Sequence, residues 1–280
     1  ELVDFTGESV FSRAIRGIFS DPESAIDELS DLLQVTSKAF AEEFDKLIGI
    51  GMTTSCNFVQ GSDSITMPPH LKKWEDIDIP KRIGQHFNCP CWIDNDGNAA
   101  ALGESVRSKR ARHANFFYLY LGYGIGGGHF FNGQTYRGAG GNAGRIGKLF
   151  PDRNNRPSLS CLYDYLGMSE PSPHREEILS TLLSKNPEKV TEWKKNAQQQ
   201  LVSALQAIRA ICDPEEIIVG GLLPPKLVQE LHTASMESLQ HYLEDEETMP
   251  NITPATLSGD KMAATGAAMI PLYQLAYSAA

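Results

Sequence analysis

Apolar residues recur at two spacings along the first half of the chain, and each spacing predicts a different element. The stretch opened by Asp21-Pro22 has apolar residues mostly at helical spacing, which predicts a long helix with proline in its first turn. Leu47–Met52 and Cys91–Ile93 are short apolar runs of the kind that form buried strands. Phe116–Leu121 is a β-rich run that ends in glycines, and it predicts another strand.

The second half of the chain combines one hairpin with several helices. Asn132-Gly133 is the strongest short hairpin signal in the sequence. Helices dominate after about Ser160, and Asp213-Pro214 should stop a long one that ends near Cys212. Ile217–Val219 then reads as a buried strand. These elements predict an α/β fold with a hairpin insertion, not a plain alternating barrel.

The first residues indicate that an element is missing ahead of them. Glu1–Asp4 is an apolar strand that runs straight into a turn, with no initiator methionine before it. This is the pattern of the second strand of a hairpin whose first strand is absent. We therefore expect the sequence to be a fragment of a longer protein.

Composition and charge narrow the classes of protein to consider. The 280 residues are 41% hydrophobic and 21% charged, as in an ordinary soluble protein. Neither a membrane-spanning run nor a secretory leader is present, so we expect a cytoplasmic protein without membrane contact. The net charge of −10 repels phosphate backbones, so this chain should not bind nucleic acid by itself. Five scattered cysteines are expected to be reduced, and Cys89 and Cys91 lack a second pair to complete a zinc site.

A glycine-rich segment, Gly122–Gly128, directly follows a predicted strand. Glycines there allow positive φ angles and let backbone N–H groups approach an anion, which is how a turn cradles nucleotide phosphates. The alternative is a tight hairpin that simply requires glycine. From the residues alone the two interpretations are equally good.

A carboxylate, Asp96, stands at a predicted strand-to-helix junction, where ligand-facing carboxylates are common. There it could accept the proton of a substrate hydroxyl that attacks a phosphoryl group. The alternative is a turn residue before a helix that Asn98 caps. A third segment, Gly220-Gly221 at the end of a strand, leaves an open surface for a flat ring or ribose, although such glycines are common turn signals.

Together, in this order, the three segments resemble the ROK family of repressors, open reading frames and kinases. The resemblance rests on blocks at Asn95–Glu104, Leu121–Gly128, Gly138–Gly144 and Val219–Gly221. Gly259-Asp260, with the alanine-rich stretch after it, is also similar to the family's closing helix. The likeness spans nearly the whole chain.

The resemblance implies a two-lobed actin-like ATPase fold, of the ribonuclease H-like α/β class. Residues 1–105 plus 264–280 would form the N-terminal lobe, with its first strand missing, and residues 106–263 the C-terminal lobe. In family kinases ATP, with Mg, meets a sugar in the cleft between the lobes. Their phosphate-binding D-x-G-G-T strand would precede Glu1.

The resemblance also implies roles for single residues, with Asp96 matching the catalytic base of the kinases. The positions implied for the sugar are Asn95, Asp96, His70, Asn142, Arg145 and Lys148. The positions implied for the nucleotide are Gly122, Tyr123, Gly124, Gly126, Gly127, Gly220 and Gly221, the last two near the adenosine.

Departures from the family pattern fall in the implied sugar pocket. Family kinases carry Glu and His where Arg145 and Lys148 stand. Their cysteine-rich zinc loop is replaced by Arg156–Tyr163, which holds one cysteine and has Tyr163 in place of a second sugar-binding Glu. Zinc needs about four ligands in a closed site, so we predict no zinc here.

Two further loops also differ, since Thr54–Asn57 replaces a Pro-Gly loop and His70 replaces an Asn. Each change alone is compatible with drift, whereas the set favours relaxed or redirected sugar specificity. Two cations in place of Glu and His would favour an anionic ligand, such as a sugar phosphate or sugar acid. The alternative is that Arg145 pairs with Asp96 or points to solvent.

Two functions follow, and the first is favoured. A sugar-sensing domain of a ROK transcriptional regulator would bind DNA through a helix-turn-helix module absent from this chain, and it tolerates the loss of pocket residues. An ATP-dependent sugar kinase explains why Asp96 and the glycine turn are retained. A scaffold that binds neither ATP nor sugar is a third, minor possibility. Homodimers are common in the family, so we expect one.

Overall fold

The structure is a computed structural model, and it describes residues 1–15, 21–62, 64–75, 77–108, 114–150, 152–168, 175–240, 249–255 and 257–278. In the first 108 residues the strands are β1 (Leu2–Val3), β2 (Ser9–Phe11), β3 (Ile50–Thr54), β4 (Asn57–Phe58), β5 (Ile65–Thr66) and β6 (Cys91–Asn95). The helices of this part are α1 (Pro22–Ala39), α2 (Ala41–Phe44), α3 (Ile79–Phe87) and α4 (Asp96–Arg107), with a 3-10 turn at Pro69–Trp74.

From residue 114 onward the strands are β7 (Phe116–Leu121), β8 (Ile125–Phe131), β9 (Gln134–Tyr136), β10 (Glu216–Gly221) and β11 (Asn251–Pro254). The helices are α5 (Leu159–Leu166), α6 (Arg175–Lys185), α7 (Pro187–Cys212), α8 (Pro225–Leu239) and α9 (Gly259–Ser278), with a 3-10 turn at Ile146–Leu149. Within the described residues, none of these helices combines the length and the apolar character of a membrane span.

Local signals decide several of these elements as predicted. Asp21 caps α1 by accepting a hydrogen bond from the backbone N–H of Ser24, with proline in the first turn. Asn132 and Gly133 join β8 to β9 with φ angles of 51° and 81°, both in the left-handed region that a two-residue hairpin turn requires. Asp213, at φ 41°, ends α7. The helix, hairpin and helix-stop predictions are therefore confirmed.

One predicted strand is displaced along the chain. β3 spans Ile50–Thr54, not Leu47–Met52, because it pairs in parallel with β6, whose first residue, Cys91, lies opposite Ile50. Leu47 donates instead to the carbonyl of Phe44 in the turn after α2. The register of a neighbouring strand, which the local run of apolar residues does not reveal, sets the start of β3.

The larger sheet has five strands in the order β11-β10-β7-β8-β9. β7 pairs in parallel with β10 and antiparallel with β8, so it lies at the centre. All six residues of β7 are buried, and they alternate between two cores. Phe117, Leu119 and Leu121 face a core built with α5, α7 and α8. Phe116, Tyr118 and Tyr120 face a second core built with α4 and α9.

Small residues let α4 and α9 approach closely, and α9 also packs on β3. A Cβ atom placed on Gly103 of α4 would strike the backbone of α9 at Met262, and one on Gly266 of α9 would strike α4 at Ala99. α4 is thereby fixed in place, and its first residue is Asp96. The lobe boundaries drawn from the sequence at 105 and 263 fall inside α4 and α9, and these boundaries stay a prediction.

A groove of about 1100 Å³ separates the β1–β2 hairpin from the β3–β6 pair. The described strands β1 and β3 each have one pairing neighbour, β2 and β6 respectively, so each turns an open edge to this groove. Residues of α9, Ala268, Met269 and Leu272, also line it. The expectation that a strand is missing beside β1 stays a prediction.

Candidate functional site

The junction between β6 and α4 places three polar side chains in succession, Asp94, Asn95 and Asp96. Asn95 is the N-cap of α4, and its Oδ1 accepts a hydrogen bond of 2.9 Å from the N–H of Gly97. Its Nδ2 donates to the carbonyl of Cys56, 2.8 Å away, in the loop after β3. Asn95 therefore ties the start of α4 to that loop, and both ends of its amide are engaged.

The prediction that Asn98 caps this helix is wrong. Helix α4 begins two residues earlier, so Asn98 lies within its first turn and is buried. Its Nδ2 donates to Oδ1 of Asp94 at 3.0 Å. The cap belongs to Asn95 because the strand ends there, and the following backbone already has helical geometry.

Asp96, the proposed base, is half-buried at the N-terminus of α4. Its Oδ2 accepts a hydrogen bond of 2.7 Å from the hydroxyl of Ser55, and its Oδ1 one of 2.9 Å from the N–H of Gly97. Exclusion of water raises the pKa of Asp96 above 3.8, while the hydrogen bonds from Ser55 and Gly97 act in the opposite direction. A carboxylate with a raised pKa is a stronger proton acceptor, as a general base requires.

A second carboxylate, Asp94, is buried beside it and forms an ion pair with Arg137. Nη2 of Arg137, from the segment after β9, lies 3.4 Å from Oδ1 of Asp94. Burial raises the pKa of Asp94, whereas the positive charge of Arg137 and the hydrogen bond from Asn98 lower it. The guanidinium of Arg137 also lies 5.0 Å from the ring centre of Phe58, which is a cation–π distance.

Asn142 holds the same Phe58 by its backbone. Its Oδ1 accepts from the N–H of Phe58 at 2.9 Å, and its Nδ2 donates to the Phe58 carbonyl at 2.7 Å. Gly141, at φ 73°, lies against the Phe58 ring, where a Cβ atom would come within 3.1 Å. The loop after β9 therefore clasps the β4–β5 hairpin, and the amide of Asn142 is used in this clasp.

The glycines after β7 divide between an open turn and a packed strand. Gly122, Tyr123 and Gly124 form the turn, and a Cβ atom on Gly124 would meet nothing within 4 Å. Gly126 and Gly127 lie inside β8. A Cβ atom on Gly97 would lie only 2.7 Å from the backbone of Gly127, so the start of α4 needs glycine at this position to pack closely against β8. None of these four glycines of the turn and β8 has a positive φ; lack of space explains Gly122 and Gly127, whereas a side chain at Gly124 would meet open space.

The two cationic residues, Arg145 and Lys148, come shortly after another glycine that packs against β8. Gly144, at φ 81°, contacts the backbone of Gly127 from the other side. Arg145 comes next and is half-buried, while Lys148 is exposed in the 3-10 turn after it. Among the described residues Arg145 makes no ion pair, so the alternative pairing with Asp96 is not formed.

Gly220 and Gly221 close β10 beside the start of α9. Gly221 has a φ of 127°, which favours glycine, and a Cβ atom on it would lie 2.5 Å from the N of Leu121. Gly220 lies against Tyr118 and Ala255. Close packing alone accounts for both glycines, so their nucleotide role stays a prediction.

The structure also gives roles to residues for which the sequence predicted none. Ser55 and Tyr120 both lie near Asp96; burial raises the pKa of Tyr120, and the negative charge of Asp96 adds to this. Arg137 and Phe58 join the site only through contacts between distant segments. His70 belongs to the 3-10 turn at Pro69–Trp74, but its side chain lies outside what the structure describes. The described part of the chain contains no group of three His, Cys, Asp or Glu side chains that could hold a metal.

A protein-family model matches most of the chain. The model of the ROK family matches residues 16–273. The chain belongs to the ROK family. Its relatives include an uncharacterized protein of Sinorhizobium fredii, 28% identical over 281 residues, that is, all of this chain and 71% of that protein. A xylose repressor of Caldicellulosiruptor bescii is 32% identical over 147 residues, 52% of this chain and 37% of the repressor.

Solved structures of ROK proteins show the fold. A ROK family glucokinase from Streptomyces griseus, in complex with glucose and AMPPNP, matches 95% of this chain and 93% of its own with a TM-score of 0.72 at 19% identity. The α/β class and the two-lobed actin-like ATPase fold expected from the sequence are thus confirmed. The family contains both repressors and kinases, so membership leaves the choice between sensing and catalysis to the site itself.

Proposed function

We propose that this chain is the carbohydrate-sensing domain of a ROK transcriptional regulator, whose DNA-binding module lies outside these residues. The observation that carries the proposal is which charged side chains of the site already have partners. The carboxylates Asp94 and Asp96 are engaged by groups of the chain itself, whereas Arg145 has no ion pair within the described residues. Within the part of the chain that the structure describes, Arg145 is thus available for binding an anion, whereas both carboxylates already have partners. The likeness to a xylose repressor supports this choice.

Calorimetry with a panel of probes tests the sensing role. D-xylose, D-glucose, glucose 6-phosphate and gluconate are titrated into the protein, and phosphoryl transfer from Mg-ATP is measured separately. A sensor binds at least one probe and transfers no phosphate. Absence of any heat or thermal shift with all four sugars and with nucleotides would contradict the proposal and favour a scaffold.

The same proposal extends to the charge of the ligand. Arg145 and Lys148 favour an anionic carbohydrate through charge-assisted hydrogen bonds, so glucose 6-phosphate or gluconate should bind more tightly than glucose. Arg145→Gln should remove this preference, and Lys148→Gln, which changes an exposed residue, should affect it less. Tighter binding of the neutral hexose to the unaltered protein would refute this part.

A kinase is the second candidate, because one observation favours it specifically. Asp96 is half-buried, has a raised pKa and already accepts a hydrogen bond from a hydroxyl, that of Ser55. The open turn at Gly122–Gly124 leaves room for phosphate groups, and Gly220 would lie near the adenosine. Mg-ATP, when bound, supplies the phosphoryl group, and the chain's own part is to accept the proton of the sugar hydroxyl at Asp96.

Asp96→Asn separates the catalytic role from a binding role. If the protein is a kinase, this variant should lose turnover while sugar binding measured by calorimetry stays largely intact. Loss of both would show that Asp96 is first a ligand contact. The expected homodimer stays a prediction, which light scattering of the purified protein checks.

A further inference from the structure

Arg156 cross-links the turn that carries Lys148 and follows Arg145. Its Nη2 donates to the carbonyl of Gly147, 2.6 Å away, and to that of Phe150. These carbonyls lie in the middle of the 3-10 turn at Ile146–Leu149 and directly after it. One guanidinium group therefore holds a short turn whose own backbone bonds are few.

The residues after Arg156 hold the glycine turn in the same way. The N–H of Leu159 donates to the carbonyl of Gly122 at 2.8 Å, and that of Ser160 to the carbonyl of Tyr123 at 3.3 Å. In a planar trans peptide the N–H points opposite to the carbonyl, so the N–H groups of Tyr123 and Gly124 are turned away from α5. The segment 156–160 thus fixes the orientation of the turn.

Burial and charge show that this arrangement is built in and is not a surface contact. Arg156 is half-buried, and the loss of water around it lowers its pKa, as does the nearby charge of Arg153. Ser158 is fully buried and caps α5 by accepting from the N–H of Cys161. The segment is therefore anchored in the core, and its hydrogen bonds hold both turns in place relative to the core.

We propose that Arg156 is a positioning residue that couples the two halves of the ligand site, the glycine turn and the turn that presents Arg145 and Lys148. The expected effect on ligand affinity rests on the proposed ligand-binding function. The expected effect of Arg156 on the two turns does not depend on that function. The guanidinium group of Arg156 would then fix the position of the turn that presents Arg145 and Lys148 to the sugar. Loosening that group should disturb the binding of an anionic sugar without unfolding the domain.

Hydrogen exchange on the ligand-free protein tests the structural part. In Arg156→Ala, exchange of the backbone amides of Lys148 and Phe150 should rise about tenfold, because the charged donor that restrains their turn is gone. Arg156→Lys, with a single compact donor group, should give an intermediate rise. Amides of β7 and α7 should keep their wild-type protection. Arg153→Ala is the matched control, an exposed arginine of the same loop, and should leave the exchange of the Lys148 and Phe150 amides unchanged.

Chemical rescue separates positioning from a general loss of stability. Guanidinium chloride, far below denaturing concentrations, should restore protection of the turn and the affinity for glucose 6-phosphate in Arg156→Ala only. Unchanged exchange at Lys148 and Phe150, or an increase spread equally over β7 and α7, would overturn the proposal. If the wild type binds none of the probes, the sensing function fails while the exchange result still decides the role of Arg156.

Discussion

At the scale of single residues, two neighbouring carboxylates are kept in the site by different means. Asp94 has a cation, Arg137, whereas Asp96 has only hydrogen-bond donors, chiefly Ser55. A carboxylate held away from water without a counter-charge destabilises a fold, and hydrogen bonds recover only part of that cost. The arrangement is typical of a functional site, where a residue is kept for chemistry or binding at some expense of stability.

Asp96→Asn should therefore stabilise the protein near neutral pH. The folded-state pKa of Asp96 is raised above 3.8, so its ionised form destabilises the fold fully above that pKa, and the effect fades as pH falls towards 3.8. The hydroxyl of Ser55 can still pair with the amide, since it both donates and accepts. We expect Tm of the variant to exceed that of the wild type by about 3 °C at about pH 7.5.

Calorimetry over a pH series checks this result, and the gain should shrink at each step towards acid. Ser55→Ala is the control, because it removes a donor that favours the ionised form and should lower Tm at neutral pH. If the Asp96→Asn protein is less stable than the wild type at neutral pH, the account of Asp96 is contradicted.

Removing Arg137 should have the opposite effect. Asp94, whose side chain is 8% exposed, would lose its counter-charge, which should cost about 3 kcal/mol of unfolding free energy. The deficit should be largest at neutral pH, because the pKa of Asp94 rises further without Arg137 and acid then neutralises the carboxylate. Urea unfolding of Arg137→Ala measures it. The double variant with Asp94→Asn should recover most of the loss, and no recovery would show that the contact with Phe58 dominates.

At the scale of elements, the sequence predicted those features that depend on a few neighbouring residues. The helix start at Asp21-Pro22 and the Asn132-Gly133 turn were identified from sequence because a helix start and a hairpin turn depend on a few adjacent residues. The register of β3 against β6 was not, since pairing is decided by a distant strand. In the candidate site, Asp96 was found from its junction, whereas Arg137 and Phe58 were missed because their meeting depends on tertiary packing.

The sequence also did not reveal which glycines are needed for close packing. Two of them, Gly97 and Gly124, can be compared by substitution with alanine. A methyl group on Gly97 would press on the backbone of Gly127, whereas one on Gly124 has open space. Gly97→Ala should thus destabilise the protein by about 2 kcal/mol despite the better helix propensity of alanine. Gly124→Ala should leave thermal stability within about 0.5 kcal/mol of the wild type. Equal Tm values for the two variants would show that β8 can shift away from α4.

At the scale of the whole molecule, stability is unevenly distributed. The five-stranded sheet is covered on both faces by buried cores, whereas β1 and β3 line a groove of about 1100 Å³ with open edges. Unpaired edges invite pairing with other chains, and apolar surface left in a groove contributes less to folding than a filled core. The regions around Leu2 and Met52 should accordingly exchange their amide protons faster than those of β7.

Filling this groove should convert its two edges into one continuous sheet. A designed apolar strand of five residues, the length of β3, fused ahead of Glu1 through a flexible turn, has an open edge on each side to pair with. It should raise Tm by several degrees and slow exchange in β1 and β3, because it adds backbone pairing and buries Met52 more fully. The same fusion with two prolines in the strand is the control, since proline cannot complete both ladders. If both fusions change Tm and exchange equally, the groove does not accept a strand, and its apolar lining is satisfied by closure of the hairpin onto β3 instead.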